Sequence, residues 1–257
     1  MRKSRSITLS ASRINCLCNC PHEYWLKYIE GWRPLQSSDA LKGGKNLHRL
    51  VEAFFNGEIE IPIDPKVGAG YEKFIQYFLS EYGTPIVETE QRFELDFGYG
   101  KKIIGFLDLL IPENGEIIEL KFQKIPDLSV IRRSWQSKIY RFWGLLNGYT
   151  KYTMIAIKKP GIRQKIKETE EEFYQRLLED ITITTETVYI DNSIFALRAE
   201  LVEMFDYVKQ LHKGGIYPKN NKACKVFWEC QFLPLCQDGC TLFYEQKTQK
   251  ELKKDAR

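Results

Sequence analysis

Long hydrophobic runs are missing from this sequence. No stretch of the 257-residue chain approaches the roughly 20 apolar residues that a membrane-spanning helix needs. Residues 1–5 lead into polar sequence rather than into the hydrophobic segment of a signal peptide. These absences predict a soluble, cytoplasmic protein without a membrane partner.

The chain also lacks a Walker motif, an internal repeat and a low-complexity linker. Helicase activity would therefore require a partner protein. With 43% hydrophobic residues, the chain is long enough for one sizeable core, and we expect one compact domain over residues 1–257. The net charge of +4 permits a polyanionic partner but does not demonstrate one.

Cysteine is absent between Cys20 and Cys224, although the chain contains seven. In a reducing cytoplasm, clustered cysteines are more often metal or iron-sulfur ligands than disulfides. The odd total also argues against complete pairing within the chain. The cysteines fall into an early and a late group: Cys16, Cys18 and Cys20, then Cys224, Cys230, Cys236 and Cys240.

Hydrophobic periodicity predicts a helical first part over residues 1–85, with its first helices preceding any strand. Ser10 or Ser12 caps the first of these helices, and Pro21 opens the second. A later amphipathic helix follows a break at Gly43-Gly44 and reaches about Phe55.

The period changes to two at residue 86, which predicts a core of strands over about 86–190. A three-stranded meander comes first. A helix over 129–147 then crosses to a buried strand at 152–157, and a helix and cysteine segment fill 191–257. The expected fold is α/β, with a mixed central sheet flanked by helices.

The third strand of the meander carries Glu119 and Lys121 on one face, because side chains two residues apart on a strand point the same way. The apolar residues Ile118, Leu120 and Phe122 take the opposite face. Glu119 and Lys121 are thereby directed toward a neighbouring strand that carries Asp108. Charged residues on a central strand indicate a functional site.

Phosphodiester hydrolysis is a chemistry that suits these residues. Carboxylate oxygens hold Mg²⁺ or Mn²⁺, which activates water and neutralises charge on the phosphate. Lys121 can orient or deprotonate the water, or stabilise the transition-state charge. The alternative is that Glu119 and Lys121 form an ordinary exposed ion pair at a strand edge.

The order of these residues resembles the RecB-like branch of the PD-(D/E)XK nuclease superfamily. The resemblance implies a restriction-endonuclease-like core, catalytic roles for Asp108, Glu119 and Lys121, and metal ligation by Asp108 and Glu119. The matching pieces run in the family's order: His48 on a helix, Glu90, Asp108, Glu119-x-Lys121, and Gln136-x-x-x-Tyr140.

The same resemblance implies roles for the remaining residues. His48 and the backbone carbonyl of Leu120 would be further metal ligands, and Glu90, Gln136 and Tyr140 would support the site or contact DNA. Taken alone, His48 would be read as an ordinary core or surface histidine, and Gln136 with Tyr140 as solvated helix residues. Their occurrence together and in order favours the nuclease interpretation.

The cysteines carry a second resemblance, to the iron-sulfur variant of this family found in AddB-type proteins and small CRISPR-associated nucleases. It implies a [4Fe-4S] cluster held by Cys20, in Cys-Pro-His-Glu-Tyr, and by the late triplet Cys224, Cys230 and Cys236. The triplet is spaced Cys-x5-Cys-x5-Cys, whereas the family usually has Cys-x2-Cys-x5-Cys.

Other assignments of the cysteines stay open at this point. Cys16, Cys18 and Cys240 are further candidate ligands, and the alternatives to a cluster are a structural Zn²⁺ site or buried thiols. A cluster or zinc site would join the N-terminal and C-terminal segments of the chain. Its role would be structural.

The expected function is a metal-dependent DNA nuclease. By family analogy it would be an exonuclease that trims single-stranded or frayed DNA ends in recombination, repair or spacer processing, with a possible helicase or recombination partner. One alternative is a non-catalytic iron-sulfur DNA-binding or scaffold subunit. An electron-transfer protein is a further alternative, but the sequence has no flavin, nicotinamide or second-cluster motif.

Overall fold

The computed structural model describes residues 6–35, 39–225, 230–248 and 251–252. Residues 1–5, to which the expectation about a signal peptide refers, lie outside this part of the chain. The strands are β1 (Ile7–Leu9), β2 (Trp32–Pro34), β3 (Glu88–Asp96), β4 (Lys101–Ile111), β5 (Glu116–Gln123), β6 (Lys151–Lys158), β7 (Ile183–Tyr189) and β8 (Tyr244–Gln246).

The helices include two long ones before the sheet core and one long one after it. Short 3-10 or π segments lie at Trp25–Ile29, Pro112–Asn114, Asn192–Ala196 and Asn221–Lys225. The α-helices are α1 (Ala11–Asn19), α2 (Pro21–Tyr24), α3 (Asp39–Phe55), α4 (Pro65–Tyr82), α5 (Leu128–Arg133), α6 (Trp135–Leu146), α7 (Glu170–Asp180), α8 (Leu197–Gly214) and α9 (Leu233–Asp238).

The main sheet has the strand order β1-β4-β5-β6-β7, with β3 paired to β4. β1 runs parallel to β4, β5 antiparallel to β4, β6 parallel to β5, and β7 antiparallel to β6. A helical crossover links the parallel strands β5 and β6, as their parallel direction requires. The predicted α/β fold with a mixed central sheet flanked by helices is confirmed.

The chain divides into two compact units. The first unit comprises Met1–Ser37, Glu94–Gly105 and Phe195–Arg257, and the second comprises Ser38–Phe93 and Phe106–Ile194. The first unit also contains a small antiparallel sheet of β2 and β8. Segments distant in sequence therefore build the first unit.

The core of the second unit lies between α3, α4, α7 and one face of the sheet. Its members are buried aliphatic and aromatic side chains, including Leu47, Leu50, Phe74, Phe78, Leu109, Ile118, Leu120, Ile155 and Leu177. The opposite face of the sheet receives α6, which approaches closely at Gly144. A Cβ atom there would lie 2.7 Å from Cδ1 of Ile117, so glycine permits this approach.

Several local predictions need correction. α3 begins at Asp39 and continues through Gly43 and Gly44, where a break was expected. Tertiary contacts on the apolar face of α3 outweigh the helix cost of two glycines, about 1 kcal/mol each.

Two further differences concern helix and strand limits. The helix predicted over 129–147 is divided at Ser134, whose extended backbone (φ −64°, ψ 155°) separates α5 from α6. The three-residue strand β1 precedes α1, so the first helices do not precede every strand. At the start of α1 the cap is Ser10, whose side chain accepts a hydrogen bond from the Arg13 amide.

None of the helices in the described ranges combines the length and apolar character needed to cross a bilayer.

Candidate active site

The site begins where β4 and β5 separate. Among the described residues, their antiparallel pairing runs from Ile111 and Glu116 to Leu109 and Ile118 and ends there. Beyond this point the side chain of Asp108 takes the place of a backbone acceptor. Its Oδ2 accepts a hydrogen bond of 2.8 Å from the Leu120 amide, which fixes the buried carboxylate between the two strands.

A histidine and two carboxylates meet at this position. Nδ1 of His48, on α3, lies 3.4 Å from Oδ1 of Asp108 and 3.6 Å from Oε1 of Glu90 on β3. One ligand atom from each residue lies within 4.8 Å of the other two. One imidazole nitrogen and two carboxylate oxygens form a donor set that suits a divalent ion such as Mn²⁺.

The backbone at Glu90 is strained. Its φ of 47° lies in the left-handed region, which costs a residue other than glycine about 1–3 kcal/mol. Such strain persists where the surrounding structure imposes it, and it concentrates at ligand-binding sites. At Glu90 it accompanies a carboxylate placed toward His48.

Glu119 is fully buried, and its two carboxylate oxygens have different surroundings. Oε1 accepts a hydrogen bond from Nζ of Lys121. Oε2 has no hydrogen-bond partner among the described residues. Because an unpaired acceptor in a dry interior is costly, this oxygen is suited to a cation, and the residues present fit a divalent metal.

Lys121 belongs to a chain of hydrogen bonds that reaches α6. Its Nζ donates to Oε1 of Gln136 over 3.0 Å, and Nε2 of Gln136 donates to the Tyr140 hydroxyl over 3.0 Å. That hydroxyl donates to the carbonyl of Phe106 over 2.5 Å. Since a lysine only donates, the Gln136 carbonyl oxygen must face it, and the chain has one consistent direction.

The site favours protonated forms in the absence of a metal. Burial lowers the pKa of the His48 imidazole, but Asp108 and a hydrogen bond to Glu90 outweigh burial and raise it to about 10. Burial raises the pKa of Glu119 to about 8, with Asp108 adding to the rise and Lys121 opposing it. A metal ion would therefore displace protons on binding, and its affinity would increase with pH.

The structure brings together the predicted residues His48, Glu90, Asp108, Glu119, Lys121, Gln136 and Tyr140 in the second unit. Leu120 contributes its amide to Asp108, while the metal-binding role of its carbonyl stays a prediction. Phe106 was not among the predicted site residues. Its spacing of two from Asp108 is the signal that could have identified it.

The cysteines form a separate site in the first unit. A cavity of about 110 Å³ is lined by the four cysteines predicted as ligands and by residues around them, including His22, Leu26, Lys219 and Phe232. Cys16, Cys18 and Cys240 are not among the residues described as lining it. All seven cysteines lie in the described ranges, where none forms a disulfide.

Burial affects the thiols of this region. Burial raises the pKa of Cys230 to about 11. It is also the largest cause of the raised pKa of Cys16, which is about 12. Cys20 is buried, and its Sγ accepts a long hydrogen bond of 3.5 Å from the Asn220 amide. Four thiols at one cavity form a soft ligand set, which suits iron-sulfur or zinc.

A mixed α/β sheet that carries buried carboxylates, a histidine and a lysine at one site is typical of enzymes that hydrolyse phosphodiesters with a divalent ion. The sequence places the chain in one such family. It belongs to the PD-(D/E)XK nuclease superfamily, whose model matches residues 8–237. No curated protein matches the chain in sequence.

Solved structures similar to this chain include three exonucleases. A provisionally assigned exonuclease from Eubacterium rectale has 14% identity and a TM-score of 0.52, with 91% of this chain and 94% of that chain covered. A phage-related exonuclease from Haemophilus somnus 129PT has 16% identity, a TM-score of 0.43, and coverage of 82% and 98%. An alkaline exonuclease from Laribacter hongkongensis has 11% identity, a TM-score of 0.34, and coverage of 81% and 95%. At such identities the likeness concerns the fold alone, and the Eubacterium rectale structure carries it.

Proposed function

We propose that this protein is a divalent-metal-dependent DNA exonuclease that trims single-stranded or frayed ends. The main support is the unpaired, fully buried Oε2 of Glu119 in a site that also holds Lys121 and the group of His48, Glu90 and Asp108. A structural ion pair would not require a histidine and two more carboxylates beside it. A metal-assisted hydrolase would.

His48, Asp108, Glu119 and the Leu120 carbonyl would hold the ion in this proposal, with Glu90 beside them. When bound, Mg²⁺ or Mn²⁺ would activate water and neutralise charge on the scissile phosphate. Asp108 is preorganised for this role because the Leu120 amide fixes one of its oxygens and leaves the other toward His48. The strained backbone of Glu90 likewise holds its carboxylate in place before the ion binds.

Lys121 would bind the scissile phosphate and orient the attacking water. Burial lowers the pKa of Lys121, but Glu119 and Asp108 outweigh burial and raise it above its ordinary value. The ammonium form therefore dominates near neutral pH, which favours phosphate binding and charge stabilisation over general-base action. Gln136 and Tyr140 would position Lys121 through their hydrogen bonds.

We also propose that Cys20, Cys224, Cys230 and Cys236 hold a [4Fe-4S] cluster with a structural role. The four thiols at one cavity support this proposal, because they form a soft ligand set. A zinc ion held by the same thiolates is the alternative, and metal analysis distinguishes the two.

Family membership supports DNA as the substrate class, and the exonuclease neighbours share only the fold. Processing in recombination, repair or spacer acquisition is consistent with trimming of ends. Unwinding of a duplex would come from a helicase or recombination partner, because the sequence has no Walker motif. A non-catalytic DNA-binding subunit is the second candidate, but the complete lysine and carboxylate set favours an enzyme.

The decisive experiment compares cleavage of end-labelled linear single-stranded, linear double-stranded and circular DNA, with Mg²⁺, with Mn²⁺ and with chelator. We expect linear DNA to be shortened from its ends only with metal, and circles to survive. Lys121→Ala should reduce kcat at least about 100-fold, since it removes a charge that stabilises the transition state. Lys151→Ala, on β6 at the other end of the β5–β6 register, is the matched control.

Calorimetric Mn²⁺ titration separates metal binding from activity. Asp108→Ala should lose Mn²⁺ binding, whereas Lys121→Ala should retain it. Full cleavage by Lys121→Ala would refute the assigned site. Failure of the wild-type protein to cut any DNA while it still binds DNA would support the non-catalytic alternative.

A further inference from the structure

Phe106 is an exposed aromatic residue on a strand that is otherwise buried at this end. Its side chain is 49% exposed, while the next five residues of β4, Leu107–Ile111, are all buried. The proposed metal and lysine chemistry assigns it no role. Single exposed apolar residues are common on protein surfaces, so its significance depends on what surrounds it.

The strand geometry places Phe106 next to the candidate active site. It precedes Asp108 by two residues, and therefore both side chains leave β4 on the same face. β5 runs antiparallel to β4, so moving from Asp108 to Phe106 corresponds to moving from Glu119 to Lys121. The ring thus lies on the Lys121 side of the carboxylates, two residues or about 7 Å along the strand.

The backbone of Phe106 is held firmly. Its carbonyl accepts the Tyr140 hydroxyl at 2.5 Å, and Tyr140 is oriented both by Gln136 and by an edge contact with Phe93 at 5.6 Å between ring centroids. The hydrogen-bond chain that reaches Lys121 therefore ends on Phe106. These contacts fix the strand backbone from which the ring projects.

The segment that follows the site carries charge complementary to nucleic acid. Residues 121–141 contain six lysines and arginines but one acidic residue, Asp127. This segment includes α5, α6 and Gln136, all in the second unit with Phe106. One of these cations, Arg132, pairs with Glu186. Basic residues and an exposed aromatic ring in the same unit are the usual components of a single-strand binding surface, where bases stack and phosphates pair with cations.

We propose that Phe106 stacks on the nucleobase next to the scissile phosphate and thereby requires an unpaired strand at the site. This inference rests on the proposed nuclease function and adds a residue that selects the substrate. A base inside a duplex has both faces covered by its neighbours, so the ring can engage only a base that has left the stack. A base held at Phe106 would place its phosphate toward Lys121 and Asp108.

The test pairs removal of the ring with removal of the base. One substrate is an end-labelled single-stranded oligothymidylate, and the other carries one abasic residue at the second position from each end. Loss of one stacked base should lower kcat/KM of the wild-type protein about 5- to 150-fold. Phe106→Ala should show a loss of that size on the intact strand and no additional loss on the abasic strand, because each change removes the same contact.

Three further variants exclude a structural explanation. Phe106→Trp should restore discrimination between the two strands, and Phe106→Leu should not, although both keep an apolar side chain. Tyr189→Ala removes a ring that is 71% exposed at the far end of the same sheet, and it should behave as wild type. Thermal midpoints of all variants should stay close to the wild-type value, since Phe106 is half-exposed.

Binding of the same strands in chelator, measured by fluorescence anisotropy, separates this inference from the proposed activity. If no protein cleaves DNA but wild type prefers the intact strand and Phe106→Ala does not, stacking stands and the nuclease proposal fails. The stacking proposal is wrong if wild type cleaves the intact and the abasic strand equally well. It is also wrong if Phe106→Ala lowers cleavage of the abasic strand as much as it lowers cleavage of the intact strand.

Discussion

Glu119 combines complete burial with an unpaired oxygen, and this combination links the site to the stability of the protein. Folding raises its pKa to about 8, first through burial and then through Asp108. The neutral carboxyl is therefore the form that folding favours. The resulting stabilisation is fully present below the pKa of the unfolded chain and is lost as the pH rises through about 8.

Glu119→Gln should flatten this pH dependence. In chelator, the thermal midpoint of wild type should fall between pH 5 and pH 9 by more than that of the variant, because glutamine does not ionise. Each pKa unit corresponds to about 1.4 kcal/mol, or about 3–6 °C in a chain of this size class. Scanning calorimetry across this pH range measures the difference.

His48 contributes to the pH dependence of both proteins. Folding raises the pKa of His48 chiefly through Asp108, which both proteins keep, so most of its stabilisation is lost in both as the pH rises above about 6.5. Glu119 adds a smaller share to this rise, and the variant lacks that share as well. Mn²⁺ should raise the midpoint of wild type more than that of the variant. If the thermal midpoints of the two proteins in chelator change with pH in parallel, ionisation of Glu119 does not affect stability and the prediction is wrong.

At the scale of elements, the division between α5 and α6 positions Gln136. Ser134 has an extended backbone, and its hydroxyl accepts a hydrogen bond of 3.2 Å from the Ser137 amide. Gln136 therefore lies in the first turn of α6, where its side chain reaches Lys121. The helix start and the lysine contact depend on the same cap.

Ser134→Ala should destabilise the protein by about 1 kcal/mol and also lower kcat several-fold, since the start of α6 loses its cap. Chemical denaturation and steady-state cleavage measure the two effects. Thr169→Ala is the matched control, because Thr169 caps α7 by accepting from the Glu172 amide at 3.2 Å, in a helix outside the site. A fall in kcat of equal size in both variants would show that the effect is general destabilisation.

At the scale of the whole molecule, each of the two units contains one of the proposed sites. The first unit is built from segments near both ends of the chain, and Asn220 contacts Cys20 across 200 residues of sequence. A metal group shared by these segments would close a long loop and oppose their separation on unfolding. The cysteine site is thus expected to control stability rather than chemistry.

Protein purified without oxygen should be brown and contain about four iron and four sulfide per chain. Serine replacement of Cys20, Cys224, Cys230 or Cys236 should each bleach the protein and lower its thermal midpoint. Metal analysis, absorption spectra and calorimetry measure these changes.

Cys18→Ser, at an exposed cysteine, is the control and should keep colour and iron, as should Cys16→Ser and Cys240→Ser. Zinc in place of iron would overturn the cluster. If Cys240→Ser bleaches the protein and Cys224→Ser does not, the three late ligands are Cys230, Cys236 and Cys240.

The sequence by itself determined the features that depend on neighbouring residues: the amphipathic helices, the meander and crossover of β3 to β6, and the shared face of Glu119 and Lys121. Contacts in space decided the rest. β1 and β2 have three residues each, too few for a recognisable period, and they exist because distant strands pair with them. α3 continues through Gly43 and Gly44 because its apolar face is packed against the core. Intrinsic helix propensity, which predicts a break at two glycines, does not include such contacts. The hydrogen bond from the Leu120 amide to Asp108 and the unpaired oxygen of Glu119 occur where β4 and β5 separate. The separation depends on how the two strands pair, so the residue pattern of either strand alone does not predict it.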